Sequence, residues 1–241
     1  MKKINDWQWY DYPEVGSTND EIRGFLTVPQ QKIIVSARRH TAGRGRRGRS
    51  WIADEGNLLV SLALECGLDK LGEMIFIVSL SLLETVKSFD KSASVKLKWP
   101  NDVLLNGGKL CGILLEKGEG DYLIIGIGVN IVSAPPASGM LYPLSALAAA
   151  GINVTREEFL NRFVAQFDIV LSLWKENGFT PIRQRWLQNV KGLGEDIAVN
   201  MENGSKKGLF AGVDENGALL LDSERGIEKI YAGDIFYLAG K

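Results

Sequence analysis

The segment Thr41-Ala42-Gly43-Arg44-Gly45-Arg46-Arg47-Gly48-Arg49-Ser50-Trp51 combines three glycines with four arginines and ends on an aromatic residue. Strand-like apolar segments flank it at residues 32–36 and 57–64, which predicts a loop between two strands of one domain. Glycine lets the backbone approach a ligand closely, and arginine forks match the oxygens of carboxylates and phosphates. No acidic residue occurs between Arg38 and Asp54. The sequence therefore predicts an anion-binding loop whose charge is not neutralised locally, and we term residues 41–51 the arginine loop.

Three other interpretations of the arginine loop are open on these residues alone. A Gly-Arg run also occurs in disordered RNA-binding segments, in basic targeting patches and in solvated charged loops. Its position between two strand-like segments disfavours all three, because a disordered segment rarely interrupts a compact domain.

The composition sets the class of protein. The chain has 241 residues, enough for one large domain or two unequal ones, and 45% apolar residues, enough for a core. A net charge of -1 gives no overall attraction to nucleic acid or membranes. Cys66 and Cys111 lie in apolar surroundings and are predicted to be free buried thiols. With no apolar span and no signal core at the N-terminus, the expected location is the cytoplasm.

Apolar periodicity predicts an α/β body up to about residue 190. Its predicted strands are residues 7–15, 32–36, 57–64, 95–99, 109–116 and 122–129, and its predicted helices are 18–26, 73–89, 144–150, a long helix from residue 155 and a shorter one at 181–188.

Three local signals refine this prediction. Thr18 with Glu21 and Thr155 with Glu158 have the spacing of helix-opening capping boxes. Asn106-Gly107-Gly108 predicts a hairpin turn. In the last body strand Gly126 and Gly128 lie two apart and hence on one face, where glycine usually marks the close approach of a ligand or another backbone.

The composition changes after Gly192-Leu193-Gly194. Short strands then recur about every ten residues, and Glu202-Asn203-Gly204 and Glu215-Asn216-Gly217 are turn sequences. The predicted strands are residues 197–201, 207–213, 218–222, 227–231 and 235–238. This pattern predicts two domains, a body at 1–190 and a small five-stranded β-barrel of SH3-like size at 191–241.

Five motifs together resemble one known family, the biotin protein ligases. They are Gly16-Ser17-Thr18-Asn19, the arginine loop, Lys98-Trp99-Pro100-Asn101-Asp102, the segment from Lys109 to Glu116, and Gly126-Ile127-Gly128-Val129-Asn130. The resemblance extends over about residues 10–240. It implies an α+β fold: a biotin–lipoate ligase catalytic domain, similar to class II aminoacyl-tRNA synthetases, followed by an SH3-like barrel.

The resemblance also implies a reaction. Biotin carboxylate attacks the α-phosphorus of ATP, with Mg²⁺, to give biotinyl-5′-AMP and pyrophosphate, and a lysine of an acceptor then takes the biotin. The implied acceptor is a biotin carboxyl carrier protein domain of acetyl-CoA carboxylase or a similar enzyme. Two anions about 4 Å apart repel by roughly 4 kcal/mol at a surface-like dielectric, so fixed cations are the main catalytic need.

The residue roles that follow rest on the resemblance. Arg44 and Lys109 are the expected catalytic cations, and Arg47 and Arg49 would supply field or orient the loop. The expected biotin contacts are Ser17, Thr18, Asn19, His40, Gly43, Arg44, Gly45, Arg46, Lys109, Gly112, Gly126 and Gly128. The expected ATP or adenylate contacts are Arg44, Arg46, Trp51, Lys98, Asn101, Asp102 and Asn130. No metal site made by protein ligands alone is expected; Mg²⁺ arrives with ATP, and Asp102 is its one candidate ligand.

Two of these assignments have ordinary alternatives. Lys109 taken alone would be an exposed hairpin lysine, and Trp51 is equally interpreted as a core residue. Tyr142 is a candidate for the adenine contact, and Lys241 is the positive charge that the tail offers.

The chain departs from the family pattern in two places. His40, its single histidine, stands where the family usually has a glutamine that binds biotin. Its protonation would make biotin affinity depend on pH, and no partner cluster favours zinc binding or base catalysis. The ligase motifs begin at Gly16, so a ligase without an N-terminal DNA-binding domain or operator binding is expected.

Other functions and partners remain open. A lipoate or octanoate ligase or transferase of the same superfamily, and an RNA-binding module, are the alternatives. A homodimer through a sheet of the body is expected from related enzymes, with no nucleic acid or membrane partner. The arginine loop is expected to be mobile when empty and to close over the adenylate.

Overall fold

Eight strands of the body form one sheet in the computed structural model, which describes residues 1–26, 31–67, 70–135 and 143–238. The strand order is β1-β2-β3-β4-β8-β7-β6-β5. Only the β2–β3 pair is parallel among the described pairs of this sheet. The strands are β1 (Lys2–Ile4), β2 (Trp7–Val15), β3 (Ile33–His40), β4 (Leu58–Glu65), β5 (Val95–Lys98), β6 (Asp102–Leu105), β7 (Gly108–Lys117) and β8 (Tyr122–Val129). β1 was not predicted; β6 is the arm before the predicted Asn106-Gly107-Gly108 hairpin turn, and the other strands overlap predicted strands.

Three helices, α2 (Leu71–Phe89), α3 (Arg156–Asn177) and α4 (Phe179–Asn189), cover one face of this sheet. The short helix α1 (Thr18–Glu21) lies on the opposite face, which also carries the site. Strand alternation separates the faces of β8: Ile125 and Ile127 belong to the main core with α2, α3 and α4. Ile124 belongs to a second cluster with Ile22, on the face that carries α1.

The two predicted capping boxes had different outcomes. At α3, Thr155 Oγ1 accepts a hydrogen bond from the Glu158 N–H, and Glu158 accepts one from the Thr155 N–H, as predicted. At α1 the prediction is wrong: Ser17 is the N-cap residue and makes no side-chain cap bond. Thr18 Oγ1 lies 2.8 Å from Ser61 Oγ instead, because a tertiary partner on β4 takes the hydroxyl.

The predicted helix at residues 144–150 is also wrong for most of its length. Only Ala148–Ala150 form a single 3-10 turn, which ends at Gly151 in a left-handed conformation. Leu144 forms a parallel bridge with Lys109, where the Lys109 N–H donates to the Pro143 carbonyl at 2.8 Å. The segment is extended because its backbone pairs with the start of β7.

The C-terminal region forms a five-stranded antiparallel sheet, order β12-β11-β10-β9-β13. Its strands are β9 (Asp196–Met201), β10 (Gly204–Val213), β11 (Leu219–Ser223), β12 (Gly226–Ile230) and β13 (Asp234–Tyr237). The five strands were predicted; closure into a barrel is not shown by these pairings and stays a prediction, as does the boundary at 190/191. Trp99 Nε1 donates to the Gly217 carbonyl at 3.2 Å, so this sheet packs directly on the body.

Within the described ranges, no helix has both the length and the apolar content needed to cross a bilayer. Two residues named from the sequence, Tyr142 and Lys241, lie outside the described residues.

Candidate functional site

One pocket lies between the arginine loop and the face of the body sheet that carries α1. It brings together all the predicted site residues except Gly43 and Lys98. Its predicted lining residues are Ser17, Thr18, Asn19, His40, Arg44, Gly45, Arg46, Trp51, Asn101, Asp102, Lys109, Gly112, Gly126, Gly128 and Asn130. Asp234, from the C-terminal sheet, also lines the pocket and was not predicted.

The end of the pocket next to α1 is neutral and buried. Thr18 and Asn19 are 2% and 3% exposed, and Ser61 Oγ on β4 lies 2.5 Å from Asn19 Oδ1. A Cβ added at Gly126 would overlap the Asn19 carboxamide, so the strand must carry glycine there. Ser61 was missed by the motifs; the signal for it was a polar residue within an apolar strand.

Trp51 forms a wall over two facing glycines. Gly112 and Gly128 pair across β7 and β8. A Cβ at Gly112 would lie 2.8 Å from Trp51 Cζ3, and one at Gly128 would overlap the indole ring. The backbone N–H of Trp51 donates to the Gly43 carbonyl at 3.0 Å, which joins the end of the loop to its beginning. The indole therefore belongs to the pocket, and the glycines make room for it.

Three buried polar atoms of the lining have no hydrogen-bond partner among the described residues. They are the donors Asn19 Nδ2 and Trp51 Nε1 and the acceptor Asn130 Oδ1. A buried polar atom left unpaired costs about 1–3 kcal/mol, which a ligand with matching polar atoms would recover. The Asn130 amide is oriented by its Nδ2, which donates to the Ser145 carbonyl at 3.0 Å. The pocket thus offers donors and an acceptor to a polar ligand.

His40 connects the neutral end to the arginine loop. Its Nε2 accepts a hydrogen bond from the Thr18 N–H at 3.2 Å. Burial and the nearby Arg44 guanidinium lower the pKa of His40 to about 4, against the opposing effect of Asp20. The ring is therefore neutral near pH 7, and this contact titrates in the acidic range.

Carboxylates from other elements neutralise Arg44, which has no acidic neighbour within the loop itself. The Arg44 fork binds Asp20 with Nη1–Oδ2 2.5 Å and Nη2–Oδ1 2.7 Å, and Nη2 lies 3.6 Å from Glu116 Oε1. The ion pair with Asp20 raises the pKa of Arg44 and lowers that of Asp20. These carboxylates come from α1 and β7, which a search within the loop could not find.

The remaining loop arginines bind two further elements. Arg46 Nη1 donates to Asn101 Oδ1 at 3.0 Å, and burial lowers the pKa of Arg46. Arg49 Nη2 lies 3.1 Å from both carboxylate oxygens of Asp234, and Arg47 Nη1 lies 3.4 Å from one of them. The loop is held at its tip by the C-terminal sheet.

Lysines complete the charged end. Lys109 Nζ lies 2.7 Å from Asp102 Oδ1, and the two side chains are 18% and 6% exposed. Lys98 is buried behind the lining; burial and the Lys109 charge lower the pKa of Lys98 to about 8, and Asp102 opposes that shift. An anion entering beside Lys109 thus meets a partly desolvated ammonium group, where charge interactions are strong.

Among the described residues, no three His, Cys, Asp or Glu side chains are placed to hold a metal ion. Asp102 and Asp234 are the carboxylates of the lining. Two carboxylates suit a Mg²⁺ ion that is bound mainly by nucleotide phosphates, since Mg²⁺ keeps several waters and binds one or two carboxylates.

Family models match both regions of the chain. The biotin/lipoate A/B protein ligase family matches residues 14–130. The biotin protein ligase C-terminal domain matches residues 192–238.

Individual proteins match over most of this chain. The chain is 38% identical over 232 residues to the biotin–[acetyl-CoA-carboxylase] ligase of Paracoccus denitrificans, covering 92% of this chain and 97% of that protein. It is 34% identical over 220 residues to the bifunctional ligase/repressor BirA of Bacillus subtilis (strain 168), covering 86% and 66%. The structure of biotin protein ligase from Aquifex aeolicus in complex with biotin and ATP has a TM-score of 0.82 at 28% identity, covering 96% and 99%.

Proposed function

The chain belongs to the biotin protein ligase family, and from this premise we propose how its pocket works. It is an ATP-dependent ligase that forms biotinyl-5′-AMP from biotin and ATP and transfers biotin to a carrier protein. The observation that carries the proposal is the division of the pocket into a neutral end at Asn19 and a cationic end at Arg44 and Lys109. Biotin has the same division, with a neutral ureido ring and a carboxylate.

The neutral end holds the ureido ring. Ser17, Thr18 and Asn19 are buried there, and Asn19 Nδ2 is a donor without a partner in the described chain. A ureido oxygen accepts hydrogen bonds from such donors, and a ring without charge tolerates the burial. The neutral His40, which accepts from the Thr18 N–H, orients the start of α1.

The cationic end brings the two anions together. The Arg44 fork, now bound to Asp20, has the geometry to bind two oxygens of a carboxylate or phosphate, so the substrates share or displace Asp20. Lys109 stabilises the charge that develops as a carboxylate oxygen bonds to the α-phosphorus and pyrophosphate leaves. Asp102 holds Lys109 in place at 2.7 Å.

The nucleotide lies on the Trp51 side of the pocket. Trp51 offers a ring face to the adenylate, Asn130 Oδ1 offers an acceptor to an amino group, and Arg46 and Asn101 meet the phosphates. Lys98 lies outside the lining and acts through its charge. Bound Mg²⁺ neutralises phosphate charge, and Asp102 is the residue that would hold it.

In the second half-reaction the acceptor lysine, as a neutral amine, attacks the acyl carbon. The bond from that carbon to the phosphate oxygen breaks, AMP leaves, and the amine loses its proton. We propose a biotin carboxyl carrier domain of acetyl-CoA carboxylase as the acceptor. A homodimer also stays a prediction, which sedimentation equilibrium would test.

Pyrophosphate release tests the first half-reaction. Purified protein is incubated with Mg²⁺, ATP and either biotin, lipoate, octanoate or no acid. We expect release with biotin alone; release with lipoate or octanoate would move the chain to the other branch of the superfamily. Labelled biotin is then offered with a carrier domain or with the same domain lacking its acceptor lysine. Labelling of both to equal extent would contradict specific transfer.

A further inference from the structure

We propose that Asp234 is a positioning residue that holds the arginine loop in its working shape from the C-terminal sheet. This inference builds on the proposed function but concerns a residue that no motif includes. Asp234 begins β13 and lines the pocket. Its side chain is 14% exposed, so the ion pairs that it makes are partly shielded from water.

Asp234 binds both arginines at the tip of the loop. Arg49 Nη2 reaches both of its carboxylate oxygens at 3.1 Å, and Arg47 Nη1 lies 3.4 Å from one oxygen. Arg47 Nη1 also lies 3.4 Å from the backbone carbonyl of Asn200 on β9. The pocket-facing residues Arg44 and Arg46 use other partners. Two of the four loop arginines therefore bind the C-terminal sheet, and one of these, Arg49, also lines the pocket.

The backbone of the loop needs such a restraint. Arg47 has a φ of 56°, a left-handed conformation that costs energy for a residue with a Cβ. The described backbone bonds of the tip are internal, from the Gly45 N–H to the Arg49 carbonyl and from the Arg49 N–H to the Arg46 carbonyl. Side-chain contacts are thus what joins the tip to the rest of the protein, and Asp234 supplies two of them as ion pairs.

The same carboxylate acts on the charged end of the pocket. Asp234 raises the pKa of Lys98, opposing the effect of burial, and so favours the ammonium form. The Asp234 carboxylate also partly neutralises Arg47 and Arg49, whose positive charges would otherwise repel Arg46. Removing its charge should therefore disturb the position of the loop and weaken ATP binding while the neutral biotin end stays intact.

Asp234→Asn tests this inference, with Asp222→Asn as the matched control. Asp222 is an exposed aspartate on β11 of the same sheet, and β10 and β9 separate that strand from β13. For Asp234→Asn we expect the KM for ATP to rise about five- to tenfold and biotinyl-AMP to dissociate faster, with the Kd for biotin within twofold of wild type. Asp234→Glu should restore most of the loss, and Asp222→Asn should behave as wild type.

Two further measurements distinguish a lost loop contact from a folding defect. Arg49→Gln should raise the KM for ATP similarly, and the double variant with Asp234→Asn should lose less than the sum of the two single losses, because both changes remove the ion pair between Arg49 and Asp234 and only the longer Arg47 contact is lost in addition. Arg49→Gln leaves the C-terminal sheet unchanged, so it tests the contact even where Asp234→Asn fails to fold. Without substrates, trypsin should cut the arginine loop several times faster in Asp234→Asn, a readout that does not depend on ligase activity.

The outcomes separate this inference from the proposed function. An unchanged KM for ATP with unchanged trypsin cleavage in folded Asp234→Asn, while wild type makes biotinyl-AMP, would overturn the role of Asp234 alone. A wild type that makes no biotinyl-AMP would overturn the proposed function, and faster cleavage in Asp234→Asn would still support the restraint on the loop.

Discussion

The two ends of the pocket are built by different physical means. At the neutral end, buried hydroxyl and amide groups are placed by α1 and by strands whose glycine leaves room for Asn19. At the charged end, the arginine loop is held by ion pairs with Asp20, Glu116 and Asp234, which belong to three separate elements. The shape of the neutral end is thus set by the backbone and its packing. The shape of the charged end depends on ion pairs of arginines that also bind the substrates.

This difference indicates how each end should respond to change. A hydrogen-bonded, glycine-lined surface fails through steric overlap and is insensitive to salt. A surface held by partly exposed ion pairs changes with charge, and screening weakens it. The three predictions that follow separate the two ends, from the largest expected effect to the smallest.

Removing the Lys109 charge should greatly slow biotinyl-AMP formation at the charged end and leave biotin binding at the neutral end unchanged. We expect Lys109→Ala to lower the rate of biotinyl-AMP formation about 10²–10³-fold, because a fixed cation beside the reacting phosphate is lost. Single-turnover pyrophosphate release measures this rate, and titration calorimetry measures biotin affinity. Lys117→Ala, at the exposed end of the same strand, is the control. A loss below tenfold would show that Lys109 is not the principal cation.

Filling space at the neutral end should weaken biotin binding and leave ATP binding at the charged end nearly unchanged. A Cβ at Gly126 would overlap Asn19, and overpacking of this kind costs about 1–3 kcal/mol, so we expect Gly126→Ala to weaken biotin roughly five- to hundredfold. The KM for ATP at saturating biotin should change little. Gly24→Ala serves as the control, because a Cβ there meets no atom within 4 Å. Equal losses for biotin and ATP would argue that the two ends are not independent.

The smallest effect concerns pH at His40, where the ends meet. Its pKa is lowered from 6.5 to about 4, so the folded state favours the neutral ring. Above pH 6.5 the ring is neutral in both states; as the pH falls from 6.5 toward 4, the unfolded chain takes up the proton first and the folded state loses stability. The melting temperature of wild type should therefore fall relative to His40→Gln over this window.

Biotin affinity should nevertheless stay flat from pH 5.5 to 8 in wild type and decline only near pH 4–5, where the ring loses its acceptor for the Thr18 N–H. A change within pH 5.5–8 that His40→Gln abolishes would mean that His40 titrates well above this value.

Local sequence was enough for most of the backbone. The Asn106-Gly107 turn, the capping box at Thr155 and the strand bearing Gly126 and Gly128 formed as predicted. Each is encoded by neighbouring residues, through turn conformation, cap spacing or alternation. The wrong predictions, at Thr18 and at residues 144–150, are places where a distant strand took the hydrogen-bonding groups.

By itself the sequence determined which chemical groups are present, in which order, and which family the motifs resemble. Only the tertiary structure decided their partners: Ser61 beside Asn19, Asp20 in the Arg44 fork, and Asp234 bound to Arg49 from 185 residues away. Periodicity and turn chemistry act over a few residues, whereas an ion pair forms wherever folding brings opposite charges within a few ångströms. The cationic residues of the site can therefore be identified from the sequence. The carboxylates that bind them can be identified only from the packed strands and helices.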